Sequence, residues 1–521
     1  MADASGQASR ALLDAALAGL ACVRHRAAIA ADGISGDGAG LLVPIPAGFT
    51  ARLVVEGLRP GPGAGTASHG ALGAGPGVGV PPEKQGRLGL VMAYLDRDDS
   101  SARTIAEVAV GQACAGEGIA VLGWRDVPVD ESELGDQARR SAPHFRQAVI
   151  AVGADVDAGE AERRCYRARR RAEAACTEAG VRYYFASWSF ATVVYKALVM
   201  SDRLAGFFPD LAASDFEVAL AVFHSRFSTN TTPAWERAQP FRFLCHNGEI
   251  NTLQGNEHRM AARGRLGTEA AGLGPEELFR PVLSPADSDS GKLDSAVELL
   301  LRGGRDVRHA VAMLVPEAWE GSRELPADVR DFYRYHACLA EPWDGPAGLI
   351  FTDGERVGAA LDRNGLRPLR YQVCDDGFVV ACSEVGAVPV AGHGKVRRGR
   401  LGPGEMLCVD PRRGGLEGDA AIKTWLAGRA PYSAWAYDGL RAISPGLPVA
   451  EPPEEEELTR TQAAFGVNKE EVAMVLKPMA TDAKEPTFSM GDDVPFAAVS
   501  TRPRPVHHYL KQRFAQVTNP P

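Results

Sequence analysis

Polar residues in a chemically useful order are densest between residues 224 and 256. This segment reads HSRFSTNTTPAWERAQPFRFLCHNGEINTLQGN, and it opens with His224, Ser225 and Arg226 directly after an apolar run typical of a buried strand. Side chains that follow such a strand emerge at the end of a sheet, where sites are commonly built. Arg226 alone could equally form a surface salt bridge that contributes little.

A second pair, Asn247 and Gly248, lies in the same segment within the tripeptide HNG. The pair predicts a hairpin turn, at which a backbone N–H and an amide side chain can point at one spot. Two such donors suit an oxyanion hole. Most Asn-Gly pairs are simple type I′ turns, however, so this pair is not specific by itself.

A carboxylate and two further side chains complete the candidate set. Asp289 stands in SPADSDSGKLD just before a predicted helix, where capping alone would account for an Asp or Ser. His224 and Cys245 are of types that are more often core residues than ligands. Taken singly, none of these signals identifies a site.

The candidate residues lie among short segments with the composition of β-strands, which Asn-Gly and Asp-Gly dipeptides separate. These segments begin near Phe216 and include EVALAVFHSRF, FRFLCHNGEI, HAVAMLV, AGLIFTDGERVGAALDRNGL and DDGFVVACSE. Repeated hairpin signals predict antiparallel sheets. Apolar spacing also predicts helices over about 8–24, 102–117 and 158–179, a strand from Leu88, and a helix from Leu293 that ends on glycines. The fold class predicted is α+β, with stacked antiparallel sheets.

Length and composition narrow the class of protein. The 521 residues are too many for one compact core, and 45% hydrophobic with 24% charged residues is ordinary for a soluble globular protein. A net charge of -9 argues against a nucleic-acid partner. No stretch reaches the ~18 apolar residues of a membrane span, and the N-terminus does not resemble a signal peptide. The nine cysteines form no CxxC, so neither a zinc site nor a disulfide framework is indicated, and reduced thiols in the cytoplasm are expected.

Glycine, proline and acidic tracts mark the loops and boundaries. The glycines between Gly33 and Gly40 lack the Lys-Ser/Thr of a phosphate loop and favour a tight loop between helix and strand. Residues 59–83 form a Gly/Pro/Ala tract expected to be a flexible surface excursion. Three segments are therefore predicted: a domain over 1–411, a linker over 412–457 and the beginning of a second domain over 458–521.

The combined motifs are far more specific than any one of them. HSRFSTNT, W, PFR and HNGEINT, in that order, resemble the glutamine-binding half of glutamate synthase amidotransferase domains. HRAAIAADGISGDGAGLLVPIP, VLGWRDVPVD, VVYKALV, SDSGKLD, VPEAWE, YHACLAEPWDGPAGLIFTDG and LDRNGLRPLRY agree in order and spacing. KEPTFSMGDDVPFAAVSTRPRPVHHYLKQRFAQVTNPP is similar to the start of the central domain of that enzyme. An unrelated N-terminal nucleophile hydrolase would not carry GEINT and DRNGLRP together.

The resemblance implies a fold and a set of roles. The fold would be the four-layer α/β/β/α sandwich of N-terminal nucleophile hydrolases. A cysteine thiolate at the N-terminus would attack the glutamine side-chain amide, with its own α-amine as the base. The Asn247 side chain and the Gly248 N–H would hold the oxyanion. Arg226 would bind the α-carboxylate of L-glutamine and Asp289 its α-ammonium, and no metal is implied.

The same resemblance implies that parts are missing. The family's nucleophile opens a Cys-Gly-Val-Gly-Phe-like segment that would align immediately upstream of Met1, and Cys22 has no free α-amine to replace it. We therefore expect a start site set too late or a fragment, and an inactive chain as written. The alternative is a catalytically silent glutamine-binding or scaffolding module. FMN, an iron–sulfur cluster and the synthase site that receives ammonia for 2-oxoglutarate are expected in the remainder of the large subunit, which also pairs with a small subunit.

Overall fold

The computed structural model describes residues 1–56, 58–61, 86–226, 233–263, 273–274, 282–284, 287–441, 451–484, 486 and 501. Most of the tract over 59–83, for which flexibility was predicted, lies outside these residues. The chain forms two compact units, of which the first spans Met1–Ala436 and the second Tyr437–Val517. The predicted boundaries at 411 and 457 stay predictions, and the first unit continues beyond residue 411.

Sixteen strands lie within the described residues. They are β1 (Ala2–Asp3), β2 (Ala39–Pro44), β3 (Arg87–Leu95), β4 (Ala120–Asp126), β5 (His144–Val152), β6 (Tyr183–Ser189), β7 (Thr192–Ala197), β8 (Val222–Ser225), β9 (Leu244–Gly248), β10 (Ala347–Thr352), β11 (Val357–Leu361), β12 (Arg370–Cys374), β13 (Phe378–Cys382), β14 (Val396–Arg400), β15 (Met406–Asp410) and β16 (Gly415–Glu417).

Fifteen α-helices accompany these strands in the same part of the chain. They are α1 (Arg10–Cys22), α2 (Ala47–Glu56), α3 (Ser100–Gly116), α4 (Asp136–Ser141), α5 (Ala158–Glu178), α6 (Leu204–Phe207), α7 (Leu253–Arg263), α8 (Asp289–Arg302), α9 (Val307–Leu314), α10 (Ala327–Ala337), α11 (Asp419–Ala427), α12 (Tyr432–Gly439), α13 (Glu455–Ala464), α14 (Lys469–Glu471) and α15 (Lys477–Asp482).

The strands form four antiparallel sheets, so the predicted α+β class is confirmed. The strand orders are β1-β13-β12-β14, β16-β15-β11-β10-β9, β7-β2-β8 and β4-β5-β3-β6. The hairpins predicted from Asp353-Gly354 and Asp376-Gly377 join β10 to β11 and β12 to β13. Long-range pairs such as β2 with β8 and β9 with β10 bring distant segments of the chain together.

Side chains on alternate positions of a strand show how the layers stack. Leu90 and Met92 of β3 belong to a core shared with Cys245 of β9, whereas Val91 packs with the buried faces of α3 and α5. On the other sheet, Phe351 of β10 packs with α8, α9 and α10. Each large sheet therefore has one face toward the other sheet and one face toward helices, which gives the predicted α/β/β/α layers.

The long helices follow the apolar spacing of the sequence. α1, α3 and α5 lie within two residues of the predicted ranges. α1 begins at Arg10 because the side chain of Ser9 accepts a hydrogen bond from the backbone N–H of Leu12. α8 begins earlier than predicted, at Asp289, and it ends before Gly303 as the glycine pair indicated.

The prediction of a strand for HAVAMLV was wrong. These residues belong mainly to α9, which Asp306 caps through a hydrogen bond from the backbone N–H of Arg308. All eight residues of α9 are buried. A helix that is buried on every side has no 3.6-residue apolar pattern to distinguish it from a buried strand.

Within the residues that the structure describes, the second unit contains α13, α14 and α15, with a π-helical turn over Val472–Leu476 between the last two. Several of its large apolar side chains are exposed, among them Phe465 and Met474. Throughout the described ranges, no helix combines the length and the apolar character needed to cross a membrane.

A buried ion cluster fixes α8, which carries Asp289, against α5 and the chain before β9. Glu298 is 2% exposed, and it accepts hydrogen bonds from Arg169 Nη2 at 2.6 Å and Arg242 Nε at 3.0 Å. Burial alone would raise the pKa of Glu298, but Arg169, Arg242 and Arg302 outweigh it and lower the pKa to about 2.

Replacing Glu298 by Gln is expected to lower the free energy of unfolding by about 3 kcal/mol at pH 7, because the buried guanidinium groups of Arg169 and Arg242 each lose one carboxylate partner. Because folding lowers the pKa of Glu298, its carboxylate stabilises the folded chain fully at pH values above the ordinary pKa of 4.5. This stabilisation is lost as the pH falls toward 2. Urea unfolding at several pH values measures it. Glu355→Gln, in an exposed ion pair with Arg412, serves as the control and should change stability by less than about 0.5 kcal/mol. Equal effects of the two substitutions would contradict the cluster.

Candidate active site

One cavity of the first unit brings together the chain start and the ends of two strands. Met1, Arg226, Asn247 and Gly248 all line it. The cavity also reaches Arg367, in the loop before β12, and the following residues contribute further wall: His224, Ser225, Cys245, His246, Cys382 and Ser383. Three of the four predicted site residues therefore share one cavity.

Arg226 is held in place by a buried carboxylate and by an unusual backbone conformation. Its Nε donates to Asp37 Oδ2 at 2.6 Å, and its backbone N–H donates to the Gly38 carbonyl at 2.7 Å. The φ angle of Arg226 is +94°, a value that costs a non-glycine residue on the order of 1–3 kcal/mol. Since Asp37 engages only one of the guanidinium donors, the fork retains further donors suited to a carboxylate.

Asp37 was not among the predicted site residues. It lies in the glycine loop for which only a tight turn was predicted, and it is 5% exposed. Its Oδ1 is buried and has no hydrogen-bond partner in the described part of the chain. A buried carboxylate is stable only when it is paired, so Asp37 holds the guanidinium of Arg226 in a fixed orientation.

Asn247 and Gly248 do not form the predicted hairpin turn. They are the last two residues of β9, and they pair with Gly348 and Ala347 of β10. Gly248 has φ +150°, and a Cβ at this position would overlap the carbonyl oxygen of Pro346. The Asn-Gly pair was misleading because the glycine is needed where β9 approaches the backbone of Pro346, just before β10, and not in a turn.

Asp289 lies beside the segment that follows β9 and is not among the described residues that line the cavity. It is the first residue of α8, whereas Ser288 is the residue that caps the helix. Its Oδ2 accepts from the backbone N–H of Ile250 at 3.1 Å, and its Oδ1 accepts from the backbone N–H of Ser290 at 2.7 Å. Asp289 thus fixes residues 246–250 against the helix end.

The cavity strongly disfavours charge on several groups around it. Burial lowers the pKa of His224 to about 4. Burial also raises the pKa of the Cys245 thiol to about 12. The His224 imidazole is therefore neutral near pH 7, and the Cys245 thiol stays protonated.

Potential metal ligands are dispersed in the parts of the chain that the structure describes. No group of three or more His, Cys, Asp or Glu side chains is placed there so that it could hold a metal ion.

Known sequence families match both parts of the chain. The profile for "Glutamine amidotransferases class-II" matches residues 1–68 and 76–435, and that for "Glutamate synthase central domain" matches residues 460–521. Both matches agree with the resemblance deduced from the motifs.

Characterised relatives are similar along nearly the whole chain. It is 40% identical to ferredoxin-dependent glutamate synthase 1 of Arabidopsis thaliana over 97% of this chain and 30% of that protein. It is also 40% identical to ferredoxin-dependent glutamate synthase 2 of a Synechocystis species, over 100% of this chain and 32% of that protein. The large chain of glutamate synthase [NADPH] from Bacillus subtilis is 39% identical over 95% of this chain and 31% of its own length. The chain thus spans about a third of these relatives.

The profile that covers residues 1–435 with one short gap includes β8, β9 and every residue of the cavity described above. The resemblance to the N-terminal region of glutamate synthase large subunits is thereby confirmed, and the chain belongs to the class-II glutamine amidotransferases.

Proposed function

We propose that this chain is the glutamine-hydrolysing part of a glutamate synthase. It would convert L-glutamine to glutamate and ammonia, and the ammonia would be used on 2-oxoglutarate at a synthase site outside this chain. The observation that carries the proposal is the shared cavity of Arg226, Asn247 and Gly248 at the chain start. A guanidinium and two amide donors in one cavity match the carboxylate and the reacting amide of glutamine.

Each group then has one role in the proposed reaction. The Arg226 fork binds the α-carboxylate, and the Asn247 amide with the Gly248 N–H stabilises the oxyanion of the tetrahedral intermediate. Asp289, half-buried beside residues 248–250, supplies the negative charge for the α-ammonium. Opposite charges at the two ends of the site select a free amino acid over a peptide.

We propose that the nucleophile is a cysteine in a segment that precedes Met1. The pairing of β1 with β13 supports this placement, because Ala2 lies opposite Val379 and Asp3 opposite Phe378. In an antiparallel pair, the partner number rises by one for each residue counted backward from Ala2. The first residue before Met1 would therefore lie opposite residue 381, and the second residue before Met1 opposite residue 382. Both of those residues line the cavity, so a preceding strand would run along its wall.

The remaining activities of a glutamate synthase would belong to other parts of the protein. The chain covers 30–32% of the relatives named above. We propose that FMN and an iron–sulfur cluster bind to the remainder of the large subunit, that a small subunit joins it, and that the assembly works in the cytoplasm.

The test compares three polypeptides by calorimetric binding of L-glutamine and by ammonia release. They are the 521-residue chain, the same chain preceded by Cys-Gly-Val-Gly-Phe with a free N-terminal cysteine, and that extended chain with serine in place of the cysteine. All three should bind glutamine, and only the cysteine form should release ammonia at an appreciable rate. Binding without turnover by the cysteine form would favour the silent glutamine-binding alternative. Absence of binding in all three would overturn the proposal.

A further inference from the structure

His246 of β9 is linked to Asp289 through a short hydrogen-bond chain. The imidazole is 3% exposed, and its Nδ1 lies 2.8 Å from Ser290 Oγ. Ser290 Oγ in turn donates to Asp289 Oδ1 at 3.1 Å. The three side chains connect the end of β9 to the first turn of α8.

The order of donors in this chain fixes the tautomer of the ring. The single hydroxyl proton of Ser290 is used toward Asp289, so Ser290 Oγ must accept from His246 Nδ1–H. Burial lowers the pKa of His246 although Asp289 opposes the shift, and the ring is therefore neutral. Nε2 consequently carries a lone pair and is a hydrogen-bond acceptor.

That acceptor is unsatisfied. Nε2 is buried and has no hydrogen-bond partner within the residues that the structure describes. It lies 3.0 Å from the point that a Cβ of Gly248 would occupy, and both residues belong to the wall of the cavity. A buried acceptor without a donor is costly, and an acceptor of this kind at a binding site calls for a ligand donor.

The carboxylate of Asp289 is already extensively hydrogen-bonded. It accepts from the backbone N–H groups of Ile250 and Ser290 as well as from the Ser290 hydroxyl. An ammonium group has three N–H donors to satisfy, which is more than the remaining capacity of this carboxylate readily meets. Charge on Asp289 attracts the ammonium, whereas an additional neutral acceptor is needed to complete its hydrogen bonds.

We propose that His246 Nε2 accepts a hydrogen bond from the α-ammonium of the bound amino acid, and that Asp289 and Ser290 hold the ring in the tautomer this requires. The inference rests on the proposed function and deepens it. His246 thereby becomes a residue that selects for free amino acids over ligands with a carboxamide but no amine.

Two substitutions and two probe ligands test this role in the 521-residue chain. His246→Asn keeps an amide near the Nδ1 position, beside Ser290, and removes the acceptor at Nε2. His246→Gln places an amide oxygen near the Nε2 position. Calorimetry measures the binding of L-glutamine and of glutaramate, which is glutamine without its α-amino group. Thermal unfolding monitors the fold of each variant.

His246→Asn should weaken the binding of L-glutamine about tenfold and leave the binding of glutaramate unchanged, because a hydrogen bond to a charged group is lost. His246→Gln should retain more affinity for L-glutamine than His246→Asn. Equal losses for both ligands, or none for either, would overturn the inference and leave the proposed function intact. A wild-type chain that binds neither ligand would overturn both.

Discussion

Replacing Arg226 by Ala is expected to weaken the binding of L-glutamine at least about 100-fold, because a bidentate charged contact to the α-carboxylate is lost. The same substitution should lower the free energy of unfolding by about 3 kcal/mol, since it leaves the buried carboxylate of Asp37 without its cation. Calorimetry and urea unfolding measure the two effects. Arg226→Lys keeps the charge and loses the fork, so it should retain stability better than affinity.

A second substitution separates the two consequences. Asp37→Asn removes the charge that Arg226 neutralises, so the double variant Asp37→Asn/Arg226→Ala should recover most of the stability lost in Arg226→Ala. The double variant should not recover glutamine binding, because the guanidinium is still absent. Recovery of both, or glutamine binding by Arg226→Ala at the wild-type level, would show that Arg226 does not contact the substrate.

This pairing also shows where sequence reasoning ends. Asp37 and Arg226 are 189 positions apart, and they meet because β2 and β8 pair side by side in one sheet. The residues around Asp37 form a glycine loop and those before Arg226 form a strand. Neither local pattern predicts that the two side chains are in contact. The positive φ of Arg226 is likewise set by tertiary contacts, so residue types and spacing could not reveal it.

Local patterns succeeded where local physics decides the structure. α1, α3 and α5 each have one apolar face, and their ranges followed from that spacing. The same patterns failed for α9, which is buried on all sides. The family resemblance, which rests on long ordered motifs, implied roles for Arg226, Asn247 and Gly248 that stay predictions. The structure places all three residues in one cavity, whereas the predicted hairpin geometry of the last two was wrong.

The structure also changes the expected position of Asp289. The resemblance implied that Asp289 would bind the α-ammonium, and that role stays a prediction. In the structure Asp289 contacts the backbone after β9 and the Ser290–His246 pair. A carboxylate that is hydrogen-bonded in this way has a fixed orientation, and it fixes the segment that carries Asn247 and Gly248. The sequence indicated Asp289 as a candidate residue, but it did not predict the contacts of Asp289 with the segment that carries Asn247 and Gly248.

Adding a single methyl group at Gly248 is expected to lower the stability of the fold strongly. A Cβ there would overlap the Pro346 carbonyl oxygen, which is part of the backbone and cannot move aside cheaply. The φ angle of +150° adds strain for any L side chain. Gly248→Ala should therefore lower the free energy of unfolding by about 3–5 kcal/mol in urea titrations.

The same substitution should abolish detectable glutamine hydrolysis by the extended cysteine form, because the end of β9 and its oxyanion donors must shift together. Gly255→Ala is the matched control: Gly255 lies within α7 and has nothing within 4 Å of an added Cβ. Alanine there should be neutral or stabilise by up to about 1 kcal/mol. If Gly248→Ala behaved like Gly255→Ala, the close approach of β9 to Pro346 could not be what positions the oxyanion donors, and their assignment to Asn247 and Gly248 would fall with it.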